Sequence, residues 1–518
     1  MKLRRIAIIA ILLFVLAFAS FSTLGQEPFL FRAVQEFNAA FMRESVPAFT
    51  AEEAQSIALE VIPLVEQITG KKFKQIPEIA IVNRSQVISV LRSESTSDKN
   101  LPQSDGDVDY TSIATGLLGM YGKYDKTLYL LPGNLPPIMG FFGTSILHTE
   151  PLTKLVIAHE LTHALQDQEV DLARFLTVTN SDKLHAFSAT FEGHAVFIHD
   201  QVGRILGIDE TLIELSKILS SKEPTMYENP LLRRDRMAQN KLHDLIYWGG
   251  RDFIDYHFQR GGNALLWEIL SNPPVKSSMI LEPSTYSHIV EEKGDGYAAL
   301  LDGVEQYLGI QQAKVSNAEI GRMMIEANYA MLPDADRQNI IPAIRHVQTL
   351  IVESAHPQLT VKITFMLMTD RDVVQGFCNA MEQIAQDDYK AINQVIIDPT
   401  GVVTIEFLIT DLAAMDADMA RKITYSAHFN TDRFQSIMNL FKDITKDSPP
   451  PADTPPIPEP ESSNLIMKTI IRICRGPAII EIEFSGSGAA VEDAQIVSLA
   501  EEVFARYEQM LAAEANNQ

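Results

Sequence analysis

Residues Lys154 to Asp171 read Lys-Leu-Val-Ile-Ala-His-Glu-Leu-Thr-His-Ala-Leu-Gln-Asp-Gln-Glu-Val-Asp, so that His159 and His163 stand four residues apart with Glu160 between them. On a helix this spacing sets the two imidazoles about 40° apart around the axis and about one turn apart along it, so both face one point. A zinc ion, which takes imidazole nitrogen at about 2.0–2.1 Å, fits between them. Glu160 lies about 100° round the helix, where it reaches a water on the metal and not the metal itself. Helix signals surround the motif. Thr149 suits an N-cap, Glu150 and Pro151 a first turn, and Leu152, Leu155 and Val156 recur at helical spacing. Two imidazoles and a carboxylate are costly on an apolar-flanked helix unless something uses them. The layout is that of a metal-dependent hydrolase.

Such a site needs a third protein ligand and one open position. The continuation x-x-G-x-x-H fails here, because Gln166 stands where the Gly would be and Glu169 where the third His would be. The remaining solution takes a Glu from a second, downstream helix. Ser181–Ile205 reads as that helix, with a small or apolar face of Ala186, Phe187, Ala189, Thr190, Gly193, Val196 and Phe197. Glu192 sits inside it and is the expected third ligand. Small neighbours at Ala189, Gly193 and Ala195 would let this helix approach the first closely. His185 and His199, seven residues to either side of Glu192, are rival ligands or outer partners.

With these residues assembled, His-Glu-Leu-Thr-His-Ala followed by Asp167 resembles the active-site helix of thermolysin-like zincins, and Glu192 in Glu-Gly-His-Ala resembles the gluzincin class. The longer run His-Glu-Leu-Thr-His-Ala-Leu-Gln-Asp-Gln is similar to a group of poorly characterised exported bacterial metallopeptidases. Tyr247-Trp-Gly-Gly-Arg-Asp-Phe253, Gly261-Gly262, Pro273-Pro274 and Ile280-Leu-Glu-Pro283 extend the resemblance over residues 55–290, with Glu282 departing from an expected His and Val275-Lys276 from a more polar pair. The resemblance implies a zincin-like fold, a peptide or protein substrate, and an Asp167 that hydrogen-bonds a ligand histidine and so fixes its tautomer. It also implies an edge strand beside the metal helix that pairs with the substrate backbone; Thr127–Leu131 is placed for that, or for an interior strand. Tyr247, Tyr256, Tyr286 and His288 are candidates to stabilise an oxyanion.

Met1–Leu24 opens with Lys2, Arg4 and Arg5 before an apolar run, Ile6–Ala19, which reads as a signal peptide ending near residue 25. Export to the periplasm, cell surface or medium is expected, with membrane contact only if the segment stays uncleaved. A formal net charge of −24 argues against nucleic acid as a partner, since nothing would neutralise phosphates. Asp105, Asp107 and Asp109 hint at a calcium loop, but Tyr110 and Gly116 occupy the positions of its required Gly and Glu. The apolar loop 133–143 would wall or cover the site.

Composition shifts after about residue 350. Strands at 359–367, 402–409 and 423–429 alternate with helices at 373–384 and 432–441. A proline-rich linker spans 448–460, then a hairpin of 465–474 and 478–484 precedes a helix at 492–511. A hairpin and one helix expose too much apolar surface to stand alone, so the hairpin is expected to complete the sheet begun upstream of the linker. Cys378 and Cys474 permit one disulfide. The expected architecture is α+β: a mainly helical zincin-like domain with a small sheet over 26–350, then a smaller α+β domain over 351–518. The expected activity is zinc-dependent peptide hydrolysis by an endopeptidase, with His159, His163 and Glu192 on Zn²⁺ and Glu160 as general base. The alternative is a non-catalytic zinc-binding or scaffolding module; an intact Glu160 argues against it, because a pure binder needs no general base.

Overall fold

The computed structural model describes residues 45, 47–97, 110–136, 149–175, 178, 180–213, 233–286, 297–310, 313–355, 358–392, 403–412, 417–429, 464–486 and 492–516. The segment 1–25, Asp105, Asp107 and Asp109, most of the loop 133–143, His288, the helix expected at 432–441 and the linker 448–460 lie outside these. Among the described residues no helix is long and apolar enough to cross a membrane.

The chain is α+β. Its first part wraps helices around a three-stranded sheet. Helix α1 (Ala51–Thr69) opens with a capping box, in which Thr50 Oγ1 accepts from the Glu53 amide at 3.2 Å and Glu53 accepts from the Thr50 amide at 2.7 Å. It closes on Gly70 at φ 69°, a left-handed conformation that glycine takes without strain. Strand β1 (Glu78–Ile81) leads into α2 (Arg84–Ser97) and α3 (Tyr110–Gly116), then β2 (Gly119–Tyr121) and β3 (Thr127–Leu130). The order is β1-β3-β2, with β1 parallel and β2 antiparallel to β3. Strand β3 is therefore the interior strand, and β2 is an edge.

Helix α4 (Thr149–Val170) carries the histidine motif and includes Thr149 itself. Apolar and polar residues are buried on every side of it, as for a helix passing through a core. It ends where Asp171 turns to φ 54°. Helix α5 (Ser181–Ile205) has the bounds its sequence suggested, and Asn180 caps it by accepting from the Lys183 amide at 2.9 Å. Helix α6 (Arg233–Asp244) runs through a π-helical turn, Leu245–Gly249, into α7 (Gly250–Ser271). Leu128, Leu130, Ile157, Leu161, Phe197 and Phe253 join α4, α5, α7 and the small sheet in one core.

The small face of α5 packs in one core with α4, and it also meets α7, backbone to backbone, at Ala189 and Gly193. A Cβ on Gly193 would lie 2.1 Å from the carbonyl carbon of Gly250, and one on Gly250 would lie 2.0 Å from the Ala189 oxygen. Backbone contact through Ala189 and Gly193 is thus made with α7 and not with α4. Two helices can come this close only where neither has a side chain to insert.

The second part is a seven-stranded sheet ordered β4-β5-β6-β10-β9-β8-β7. Its strands are β4 (Ala313–Glu319), β5 (Ile344–Ala355), β6 (Gln358–Met368), β7 (Val403–Asp411), β8 (Met419–Phe429), β9 (Asn464–Arg475) and β10 (Ala478–Gly486). All pairings are antiparallel. The hairpin β9–β10 turns through Gly476-Pro477, with Gly476 at φ 57° as a two-residue turn of this kind requires. As expected, the hairpin completes the sheet across the linker. The boundary expected at residue 350 falls inside β5, and β4 precedes it. Helix α8 (Arg371–Ile392) covers one face with Phe377, Cys378 and Met381, packed on Met366, Cys474 and Ile479. Helix α9 (Asp493–Asn516) covers the other with Leu499, Val503 and Phe504, packed on Ile363, Phe365, Ile471, Ile473, Ile480 and Ile482. The Cys378 and Cys474 thiols are free, buried and 3.0 Å apart.

Candidate metal centre

The four-residue spacing on α4 brings the His159 and His163 Nε2 atoms to 3.2 Å of each other. Glu192 reaches across from α5, with Oε2 at 3.2 Å from His159 Nε2 and 3.3 Å from His163 Nε2. The three atoms form a nearly equilateral triangle. Ligands about 2.0–2.1 Å from a tetrahedral metal are separated by about 3.3–3.4 Å, so these donors are already spaced for one ion. Two neutral imidazole nitrogens and one carboxylate oxygen also suit zinc chemically. Among the described residues this is the one group of three or more His, Cys, Asp or Glu side chains gathered closely enough to hold a metal.

The charges are arranged to match. Burial resists ionisation of Glu192, but the two histidines prevail and hold its carboxyl well below the usual range. Burial likewise opposes the His163 imidazolium; Glu192 and Glu160 beside it prevail and push its pKa up to about 9. A positive charge in this place is stabilised, which a cation would supply.

Glu160 is buried and outside the triangle. Desolvation raises its pKa, with the nearby histidines and an amide hydrogen bond from Tyr121 opposing. That amide belongs to β2. The Leu118 carbonyl accepts from the Leu131 amide and the Gly122 amide donates to the Thr127 carbonyl, so by alternation the amides and carbonyls of Gly119 and Tyr121 point away from β3. Gly119 lies directly over the metal helix: a Cβ there would be 2.8 Å from Val156 Cγ1 and 2.9 Å from Glu160 Cγ. The sheet edge beside Glu160 is therefore β2, not Thr127–Leu131.

Tyr247, on the π-helical turn, joins the site. Its ring stacks 6.2 Å from His159 at 12° and 4.1 Å from His243 at 1°, and its hydroxyl lies in the field of Glu192. Burial, then Glu192 and Glu160, hold its phenol protonated far above the usual range. An isolated π turn is frequent at functional sites because it re-aims one side chain. Tyr286 donates its hydroxyl to the Asn272 carbonyl instead, and Tyr256 lies under Arg260. His199 is an edge-on neighbour of His159 at 6.4 Å, and neither it nor His185 belongs to the ligand group.

Asp167 does not hold a ligand histidine. Its carboxylate accepts from the Tyr121 hydroxyl at 2.8 Å, Lys126 Nζ at 2.7 Å and the Leu172 amide at 3.1 Å. The partner of His163 is Gln166, whose Oε1 lies 2.9 Å from His163 Nδ1. The sequence reading considered Gln166 only as a residue that was not glycine. The signal was present, since a residue three positions on from a ligand lies on the same helical face.

No family model and no curated protein matches the chain. Among solved structures it is similar to a candidate hydrolase with a novel fold from Chloroflexus aurantiacus, at 16% identity and a TM-score of 0.33 over 49% of this chain and 94% of that one.

Proposed function

We propose that the protein is a zinc-dependent peptidase of gluzincin type. The observation that carries this reading is the 3.2–3.3 Å triangle of His159, His163 and Glu192 with a buried carboxylate, Glu160, standing just outside it. A zinc ion held by those three residues would supply Lewis acidity, lowering the pKa of a water toward about 7 and polarising a carbonyl. Glu160 takes the proton of the attacking water and delivers it to the leaving amine. The outward amide and carbonyl of Gly119 pair with an extended peptide, which is main-chain recognition suited to a peptide bond and indifferent to most side chains. Tyr247 donates its hydroxyl to the developing oxyanion, a role for which a phenol that never ionises is suited.

Metal analysis of purified protein, paired with digestion of a broad peptide library, tests this. One zinc per chain is expected in both the native protein and Glu160→Gln, with cleavage reduced about 10²–10⁴-fold in the variant. Stoichiometric zinc with unchanged proteolysis in Glu160→Gln would sink the mechanism. Zinc without cleavage by the native protein would favour a binding or scaffolding role. Tyr247→Phe is expected to keep its zinc and lose about 10²–10³-fold in kcat; an unchanged kcat would remove Tyr247 from the chemistry.

A further inference from the structure

We infer that Gln166 is the positioning residue of this centre, its one amide fixing the metal-facing nitrogen of His163 and locking the helix of Glu192 in register with it. The inference rests on the metal site proposed above.

Gln166 is fully buried, one turn beyond His163 on α4. It makes three contacts with the rest of the site: Oε1 to His163 Nδ1 at 2.9 Å, Nε2 to the Phe191 carbonyl at 3.0 Å, and Nε2 to His194 Nδ1 at 3.0 Å. These contacts decide the orientation of the amide. A backbone carbonyl only accepts, so the NH₂ end must face Phe191 and the oxygen must face His163. An amide oxygen also only accepts, so His163 Nδ1 must carry a hydrogen. The lone pair of His163 is then left on Nε2, the atom in the triangle with His159 and Glu192. The second amide hydrogen goes to His194 Nδ1, which must be an acceptor.

Both donors and the acceptor of the side chain are thus committed, with no alternative assignment. Phe191 is also the residue immediately before Glu192. The amide therefore links one ligand to the backbone beside another across the α4–α5 interface, and a shift of either helix would break it. Asp167, the neighbour expected in this role, is occupied by Tyr121, Lys126 and Leu172.

The test compares native protein with Gln166→Leu and Gln166→Glu. Zinc affinity is measured by competition with a chelator, and ¹⁵N-histidine spectra are recorded on protein loaded with ¹¹³Cd. The native protein is expected to show metal on Nε2 of His163 and a slowly exchanging proton on Nδ1. Gln166→Leu is expected to bind zinc about 10–100-fold more weakly and to lose that protected proton. Gln166→Glu keeps an acceptor for His163 but has no donor for Phe191, so it is expected to bind zinc at least about tenfold more tightly than Gln166→Leu while melting below the native protein. A lost fold would lower both variants equally, whereas the tautomer role separates them. Native affinity in Gln166→Leu, or no difference between the two variants, would overturn the inference while leaving the metal site standing. Native protein that takes up neither zinc nor cadmium would overturn both.

Discussion

Asp167 shows how a side chain one position from the right one can serve a different purpose. Two of its three bonds tie α4 to Tyr121 at the end of β2 and to the turn that follows, where Lys126 sits at φ 60° and also donates to the Lys123 carbonyl, while the third holds Leu172 just past the helix. The result is a brace for the strand that lies over Glu160. Losing the charge in Asp167→Asn should therefore cost about 1–3 kcal/mol, discounted because the Lys126 side chain is 52% exposed. Zinc affinity should stay within a few-fold of native. Denaturant melts with a chelator titration check this, and a variant of native stability with weakened zinc would return Asp167 to the histidine-holding role. Spacing made His159, Glu160 and His163 legible, because a helix converts i, i+4 directly into geometry, while Glu192 was read from the small-faced second helix that carries it. Spacing could not choose between Gln166 and Asp167. That choice depends on Tyr121 and Lys126, which reach Asp167 from more than forty positions upstream.

At the scale of elements, periodicity located the helices around the site and the strands from 359 onward, but not their neighbours. The small residues of α5 correctly signalled a close approach, and the partner proved to be Gly250. Small size says that something comes near; it carries no information about what. Gly193→Ala would put a methyl group 2.1 Å from the Gly250 carbonyl carbon, and two backbones cannot yield as a flexible side chain would. The substitution should destabilise the protein by about 1–3 kcal/mol or more. The π-helical turn at the start of α7 would move with it, displacing Tyr247 while Glu192, one position away on α5, keeps its α4 contacts. Activity should thus fall further than zinc content, and equal losses of both would show that the helix pair moves as a single body. The edge strand poses a related problem. Thr127–Leu130 and Gly119–Tyr121 are both short strands, and only the register Glu78↔Thr127 buries the first between two neighbours.

Over the whole molecule, the placement of the hairpin followed from an apolar excess that needed cover, whereas β4 and β5 were not read, although β5 pairs with β6, the strand directly after it, and β4 pairs with β5. Strand β10 is the central strand of seven, flanked by β6 and β9. Truncation at Ser448 would remove β9, β10 and α9, dividing the sheet into β4-β5-β6 and β7-β8 and stripping Ile471, Ile473, Ile480 and Ile482 from its core. Loss of cover on this scale exceeds what the remaining strands can offset, since a two-stranded ribbon is marginal in water. The metal site is less exposed to the cut. Its links to the sheet part include the buried Met323, which packs in the same core as Ile157 and Phe197, and a polar joint at the start of α5, where Ser181 Oγ donates to the Glu319 carbonyl at 3.4 Å and Asp182 accepts from the Ser277 amide at 3.2 Å. Ser277 in turn accepts from the Met323 amide at 3.0 Å, while Glu192 lies about 15 Å further along α5 at 1.5 Å per residue. Hydrogen exchange on the truncated protein should show the amides of 359–429 unprotected and those of α4 and α5 still protected, with zinc bound at native stoichiometry. Oxidation of the full chain with diamide should draw two electrons and two protons from Cys378 and Cys474, which face each other across the α8–β9 contact, and raise the melting point of the sheet alone. If the truncated protein melts as the full chain does, residues 465–516 are an independent module and the seven strands are not one cooperative unit.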